Sequence, residues 1–197
     1  MPHKSHRIAV FASGNGTNAA QLFSYFNSHD KIEVCLLLSN NPNAHVLERA
    51  KQVGVEAKVF DREQFVERNT VLQWLREREI THLVLAGFLW LMPEKFVREF
   101  PDRIVNIHPA LLPRFGGKGM YGMKVHEAVK AAGAEETGIT IHLVNERFDE
   151  GTILFQAKTA VGPDDTPEDI AHKVHQLEYA HYAQVIERWI LGMQLKS

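Results

Sequence analysis

Short apolar runs and longer amphipathic stretches alternate along this chain of 197 residues. Residues 7–12, 32–38, a segment near Val55, 82–86 and 103–107 read as strands. Between them, helical spacing appears after Thr17 (Leu22, Phe23, Phe26), over residues 44–53 and over residues 63–78. Nearly continuous apolar strands separated by helices predict a parallel sheet covered on both faces. The pattern changes after Ile107. Gly116-Gly117-Lys118-Gly119 interrupts the chain, and a helix is expected over residues 123–131. Two alternating strands at 138–144 and 152–161, with Asp149-Glu150-Gly151 between them, predict an antiparallel C-terminal extension. A last helix over 167–190 opens on Asp165-Thr166-Pro167-Glu168 as cap and first turn. The class is α/β in one domain, 1–197.

Candidate chemistry gathers at strand ends. Asn106-Ile107-His108-Pro109-Ala110-Leu111-Leu112-Pro113 closes the strand at 103–107. The two-residue period puts Asn106 and His108 on one face, where an amide donates to oxygen and an imidazole moves protons. His142 lies on the next alternating strand, and Asp149 follows it. Amide, imidazole and carboxylate together suggest acyl or one-carbon transfer. Each also has a plain reading: Asn106 as a turn former, His108 as a half-buried histidine, Asp149 as a solvated turn.

Ser13-Gly14-Asn15-Gly16-Thr17-Asn18 joins the first strand to the first helix. Its glycines let backbone N–H groups approach a ligand, Thr17 and Asn18 are expected to cap the helix, and the helix amino end favours an anion. A dinucleotide site would want an acidic residue at the end of the second strand, where Ser39-Asn40-Asn41 stands instead. The turn is therefore read as a single-phosphate site, with a structural turn as the alternative.

A net charge of −2 gives no overall basic footprint for nucleic acid, and no apolar run approaches the ~20 residues that span a bilayer. The single cysteine, Cys35, reads as a buried small hydrophobe, and no signal-peptide core precedes it, so a cytoplasmic location is expected. In open sheets of this kind, ligands gather beyond the carboxyl ends of strands. The turn after the first strand, Gly87-Phe88-Leu89-Trp90-Leu91 after the fourth and Asn106 to His108 after the fifth are expected to line one crevice. Phe88 to Met92 suits either a flat ring or a core-capping turn. Glu178 falls on the apolar face of the last helix with Ala171, Val174, Tyr182 and Val185, so its carboxylate needs a partner. His172 and His175 lack a third metal ligand and read as a solvated face.

These motifs resemble the phosphoribosylglycinamide formyltransferases, a folate-dependent family of purine biosynthesis, over nearly the whole chain. The resemblance rests on residues 13–18, Ala86-Gly87-Phe88, Asn106-Ile107-His108-Pro109 with Leu111-Leu112-Pro113, Gly138-Ile139-Thr140-Ile141-His142, and Asp149 with Gly151. It implies a Rossmann-like sheet, with a phosphate-binding half at about 1–100 and a catalytic and folate half at about 101–197. It implies formyl transfer from 10-formyltetrahydrofolate, as co-substrate, to the amine of glycinamide ribonucleotide, without a metal, nucleic acid or membrane, by a monomer or homodimer. Gly16, Thr17 and Asn18 would hold the substrate phosphate and Glu178 its ribose. Leu89, Trp90, Leu91, Arg147 and Phe148 would border the folate. Trp90 replaces an arginine that many members carry for the folate tail, leaving Arg62 as the alternative contact. In the expected mechanism Asn106 and a protonated His108 stabilise the formyl oxygen, Asp149 keeps His108 charged and relays the amine proton, and His142 supports Asp149. Two rivals are a methionyl-tRNA formyltransferase, which carries a further RNA-binding domain, and a non-catalytic nucleotide or folate sensor.

Overall fold

The computed structural model describes residues 5–194. In chain order it holds β1 (His6–Phe11), α1 (Thr17–Phe26), β2 (Ile32–Ser39), α2 (Val46–Gln52), β3 (Glu56–Val59), a π-helical turn (Glu63–Glu67), α3 (Thr70–Glu77), β4 (His82–Leu85), α4 (Glu94–Glu99), β5 (Ile104–His108), α5 (Met123–Ala131), β6 (Glu136–Leu143), β7 (Ile153–Ala160) and α6 (Pro167–Ile190). The strands form one sheet in the order β3-β2-β1-β4-β5-β6-β7. β1 runs parallel to β2 and β4, and β2 to β3, whereas β7 is antiparallel to β6. The first five strands thus follow the Rossmann order 3-2-1-4-5, with its switch point beside β1 and β4. Internal contacts divide the chain into two compact units, Met1–Val105 and Asn106–Ser197.

In the first unit, β1 is buried from Ile8 onward, and Phe11, Phe60, Phe65 and Phe96 pack as an aromatic core in which Phe65 lies 4.9 Å from both Phe60 and Phe96. Each such ring contributes about 1.5–3 kcal/mol through burial. This core explains why the helix expected over 63–78 is broken. Phe65 enters it from the π-helical turn, but Val66 to Asn69 are all exposed, so no packing holds a helix there. Arg68 is extended, its N–H closing on the Glu63 carbonyl at 2.8 Å, and α3 starts afresh at Thr70. Helix α4 escapes the pattern because it buries one side chain, Phe96, over six residues. Cys35 is half-buried rather than buried, because the β1–β2 register passes it over between the pairs Ile8–Val34 and Ala9–Leu36.

In the second unit, α6 packs on α5 and β6. Thr166 caps α6 by accepting from the Asp169 N–H, while the Asp169 carboxylate accepts from the Thr166 N–H, and Pro167 sits at the first helical position. His126 of α5 is only 2% exposed, and its Nδ1 has no hydrogen-bond partner. Burial, reinforced by His175 and His108, pulls its pKa down to about 4. The unfolded chain binds this proton near pH 6.5 and the folded chain does not, so stability is retained above pH 6.5 and lost as pH falls toward 4. That single group removes about 3 kcal/mol by pH 4. Denaturant titrations at pH 7.5, 5.5 and 4 should show that loss, and His126→Asn should remove a corresponding part of it. An identical pH slope in the folded variant would assign the acid sensitivity elsewhere.

Candidate active site

Strand β5 buries Ile104, Val105 and Ile107 and turns Asn106 and His108 toward β6 and the loop after it. Asn106 Nδ2 lies 3.2 Å from His142 Nε2, and His142 Nδ1 lies 2.9 Å from the Leu143 carbonyl. A carbonyl only accepts, so His142 Nδ1 carries a proton, and in the neutral ring Nε2 accepts from the Asn106 amide. The orientation of Asn106 is thereby fixed, leaving its second Nδ2 hydrogen for another acceptor. The register shift between Ile141 and His142 against β7, which passes over Leu154, sets the aim of His142. Gly151 is required beside it. A Cβ at that position would stand 1.6 Å from the Leu143 carbonyl oxygen.

Asp149 faces both histidines at 3.5 Å, Oδ2 toward His108 Nδ1 and Oδ1 toward His142 Nε2, while Oδ2 accepts from the Gly117 N–H at 2.9 Å. Burial by itself would raise the Asp149 carboxyl. The His142 ring, the His108 ring and the Gly117 N–H outweigh it and hold the pKa below its usual value. His108 behaves otherwise than the sequence suggested. Its Nε2 meets the Phe115 carbonyl at 2.8 Å and its Nδ1 faces Asp149, so the charged ring would satisfy both acceptors. Yet burial lowers its pKa below 6.5 by more than Asp149 and the Phe115 carbonyl raise it. Asp149 thus favours the charged ring as expected, but burial opposes it and is the larger influence. His142 Nε2, which lies against the Asn106 amide, also faces Asp149 Oδ1, and its ring is the largest influence lowering the Asp149 carboxyl.

Phe115 and Asp149, which supply the two acceptors, both have φ of 56°, a left-handed conformation that side-chain-bearing residues adopt at a cost. The sequence assigns no role to two supporting residues, although Thr140 lies within the 138–142 motif. Thr140 Oγ1 donates to the Ala110 carbonyl at 2.7 Å and accepts from the Leu112 N–H at 3.0 Å, and Gln156 donates to both Thr140 Oγ1 and the Leu112 carbonyl. Together they moor the segment after His108 to β6 and β7. Glu178 is 6% exposed on the inner face of α6. One turn later, burial and this carboxylate push the Tyr182 hydroxyl well above its usual pKa. Arg147 is exposed and bonded to Glu150 at 2.9 Å, and Phe148 is half-buried.

In the first unit, residues 13–18 leave β1 and enter α1. Gly16, at φ 72°, occupies the N-cap position with no side-chain hydrogen bond, so Thr17 and Asn18 stand inside the first turn and do not cap the helix as expected. A Cβ at Gly16 would meet Val46 Cγ2 at 2.2 Å, and an L side chain at that φ is strained besides. Ser13 holds the turn in place: its Oγ donates to Asn40 Oδ1 at 2.7 Å and accepts from the Leu89 N–H at 3.0 Å. The 88–92 segment splits by alternation. Phe88 and Trp90 join the aromatic cluster, with Trp90 5.9 Å from Phe65 and the Arg62 guanidinium 5.9 Å from the indole, while Leu89 and Leu91 remain 48% and 40% exposed. Among the described residues, no cluster of His, Cys, Asp or Glu is placed to hold a metal ion, and no helix is long and apolar enough to cross a membrane.

The family model described as formyl transferase matches residues 6–186. A chloroplastic phosphoribosylglycinamide formyltransferase of Arabidopsis thaliana is 39% identical over 91% of this chain, which spans 64% of that relative's length. The phosphoribosylglycinamide formyltransferase of Haemophilus influenzae is 33% identical over 96% of this chain and 89% of its own. Among solved structures, glycinamide ribonucleotide transformylase 1 of Symbiobacterium toebii superposes with a TM-score of 0.87 at 30% identity, over 96% of this chain and 89% of that one. With its Rossmann-ordered sheet and its amide, imidazole and carboxylate at the end of β5 and in the loop after β6, the chain belongs to the formyl transferase family, among the phosphoribosylglycinamide formyltransferases.

Proposed function

We propose that this protein transfers the formyl group of 10-formyltetrahydrofolate to the amine of glycinamide ribonucleotide, a formylation step of purine biosynthesis. The observation that carries the reading is the linked set Asn106, His142, Asp149 and His108, with successive separations of 3.2, 3.5 and 3.5 Å. Attack of the amine on the formyl carbon forms a C–N bond and places negative charge on the formyl oxygen. The free Nδ2 hydrogen of Asn106 donates to that oxygen. Neutral His108 takes the amine proton at Nδ1, where the resulting cation faces Asp149, and then gives it to the departing folate nitrogen as the old C–N bond breaks. One proton leaves the amine and one reaches the leaving group, so the charges balance. The 3.5 Å separations are longer than hydrogen bonds, as is common before substrate draws such groups together. Exposed Leu89 and Leu91 offer apolar contact suited to a flat folate ring, with Arg62, Trp90, Arg147 and Phe148 as further folate contacts. Glu178 orients the ribose hydroxyls.

Gly16, Thr17 and Asn18 receive the acceptor's phosphate at the uncapped amino end of α1, where first-turn N–H groups have no partner within the helix. Turnover measured with glycinamide ribonucleotide and with its dephosphorylated analogue tests this directly. Loss of two charge-assisted bonds costs about 3 kcal/mol or more, roughly 10²-fold in kcat/KM. Equal kcat/KM for the two acceptors would remove the phosphate assignment, and no turnover with either would remove the formyltransferase reading.

A further inference from the structure

Helix α2 touches three successive residues of the turn at 13–18. The Val46 N–H donates to the Gly14 carbonyl at 3.2 Å, the Val46 side chain fills the space beside Gly16, and Arg49, one turn further on, donates from Nε to the Asn15 carbonyl at 2.8 Å and from Nη2 to Asn15 Oδ1 at 3.3 Å. In a trans peptide the carbonyl and the N–H of one unit point in opposite directions. A carbonyl of Gly14 held toward α2 therefore sends the Asn15 N–H away from α2. A carbonyl of Asn15 held by Arg49 does the same for the Gly16 N–H. The turn's donors are aimed by what grips its carbonyls.

We propose that Arg49 is a positioning residue for phosphate recognition: its guanidinium fork pins Asn15 so that the Gly16 N–H points to where an anion binds. The proposal rests on the phosphate reading of this turn. The planar fork is essential because two acceptors, a carbonyl and a side-chain oxygen of one residue, must be held at a fixed separation, which a lysine ammonium on a flexible stem does not do. Asn15 itself is exposed and α1 has no side-chain cap, so the Arg49 fork is the restraint the structure shows on it. Arg49 acts through the backbone and need not touch the ligand.

The test uses the full chain carrying Arg49→Lys, Arg49→Met or Asn15→Ala. Amide NMR during titration with inorganic phosphate, and steady-state kinetics with the acceptor ribonucleotide and its dephosphorylated form, supply the readouts. In the parent protein phosphate should shift the Gly16 amide resonance. Both Arg49 variants should lose that shift and raise KM for the ribonucleotide about 10-fold or more, with kcat/KM for the dephosphorylated acceptor and KM for the folate unchanged. Asn15→Ala keeps the carbonyl contact and loses the Oδ1 contact, so its effect should be smaller. If Arg49→Lys behaves as the parent, the charge matters and the aim does not, and the proposal is overturned. If both acceptors suffer equally, Arg49 merely supports the fold, and the proposal is again overturned. If the parent itself shows no phosphate preference, the phosphate reading has failed before Arg49 enters. Should Arg49→Met not fold, the lysine and alanine variants still decide between these results.

Discussion

Asp149→Asn should lower kcat by about 10³-fold while leaving the unfolding midpoint and the acceptor's KM near those of the parent. Asparagine keeps the shape, tolerates the left-handed backbone found at this position, and still offers an oxygen to the Gly117 N–H. What it removes is the charge opposite His108. At 3.5 Å a carboxylate stabilises an imidazolium by about 5 kcal/mol for an effective dielectric near 20, enough for a loss of about 10³-fold or more. Burial already holds His108 below its ordinary pKa, and Asp149 is the largest influence opposing that burial. Without it the pKa falls further. Because the neutral ring accepts the amine proton, the acid limb of kcat in the variant should move to lower pH. A resting imidazolium would give the opposite signature, a parent activity that declines as pH rises through the His108 pKa. Adding His108→Ala to Asp149→Asn should cost far less than the product of the two separate losses, because the carboxylate acts through the ring. Multiplicative losses in folded variants would show the two groups to be independent.

The parts of this molecule that the sequence exposes are those governed by short-range periodicity. Two-residue alternation places Asn106 and His108 on one face, and 3.6-residue spacing places Glu178 on the inner face of α6, as the structure has them. Thr166-Pro167 announces its helix because a cap acts within four residues. Features that depend on distant partners are invisible to such patterns. Nothing near Phe115 says that its carbonyl will face His108, and nothing near Arg49 says that it will grip Asn15, 34 residues away. The protonation of His108 is the clearest case. A neighbouring carboxylate suggests a raised pKa, but the sign follows from how completely the ring is buried, and only packing determines that. Broken periodicity also misleads: residues 63–78 carry enough helix formers to read as one helix, while the exposed run from Val66 to Asn69 leaves the chain free to turn.

Asn106→Ala should reduce kcat by about 10²–10³-fold, corresponding to roughly 3–4 kcal/mol of lost stabilisation for the developing oxyanion. Its acceptor KM should change little, because the amide's second hydrogen is used where charge appears in the transition state and not in holding the ground state. His142 makes the assignment testable in finer detail. With its Nδ1–H committed to the Leu143 carbonyl, the neutral His142 ring accepts at Nε2 and so selects the Nδ2 side of Asn106. Asn106→Asp keeps the size but replaces the donor with a negative oxygen beside the formyl group, so its loss should exceed that of alanine. A His142→Gln variant whose side-chain oxygen accepts from Asn106 should retain much of the turnover, while His142→Leu should approach the loss seen in Asn106→Ala. If Asn106→Ala kept more than a tenth of parental kcat, or if Asn106→Asp were the milder change, the amide would not be the oxyanion donor, and that charge would have to be met by another group in the cluster.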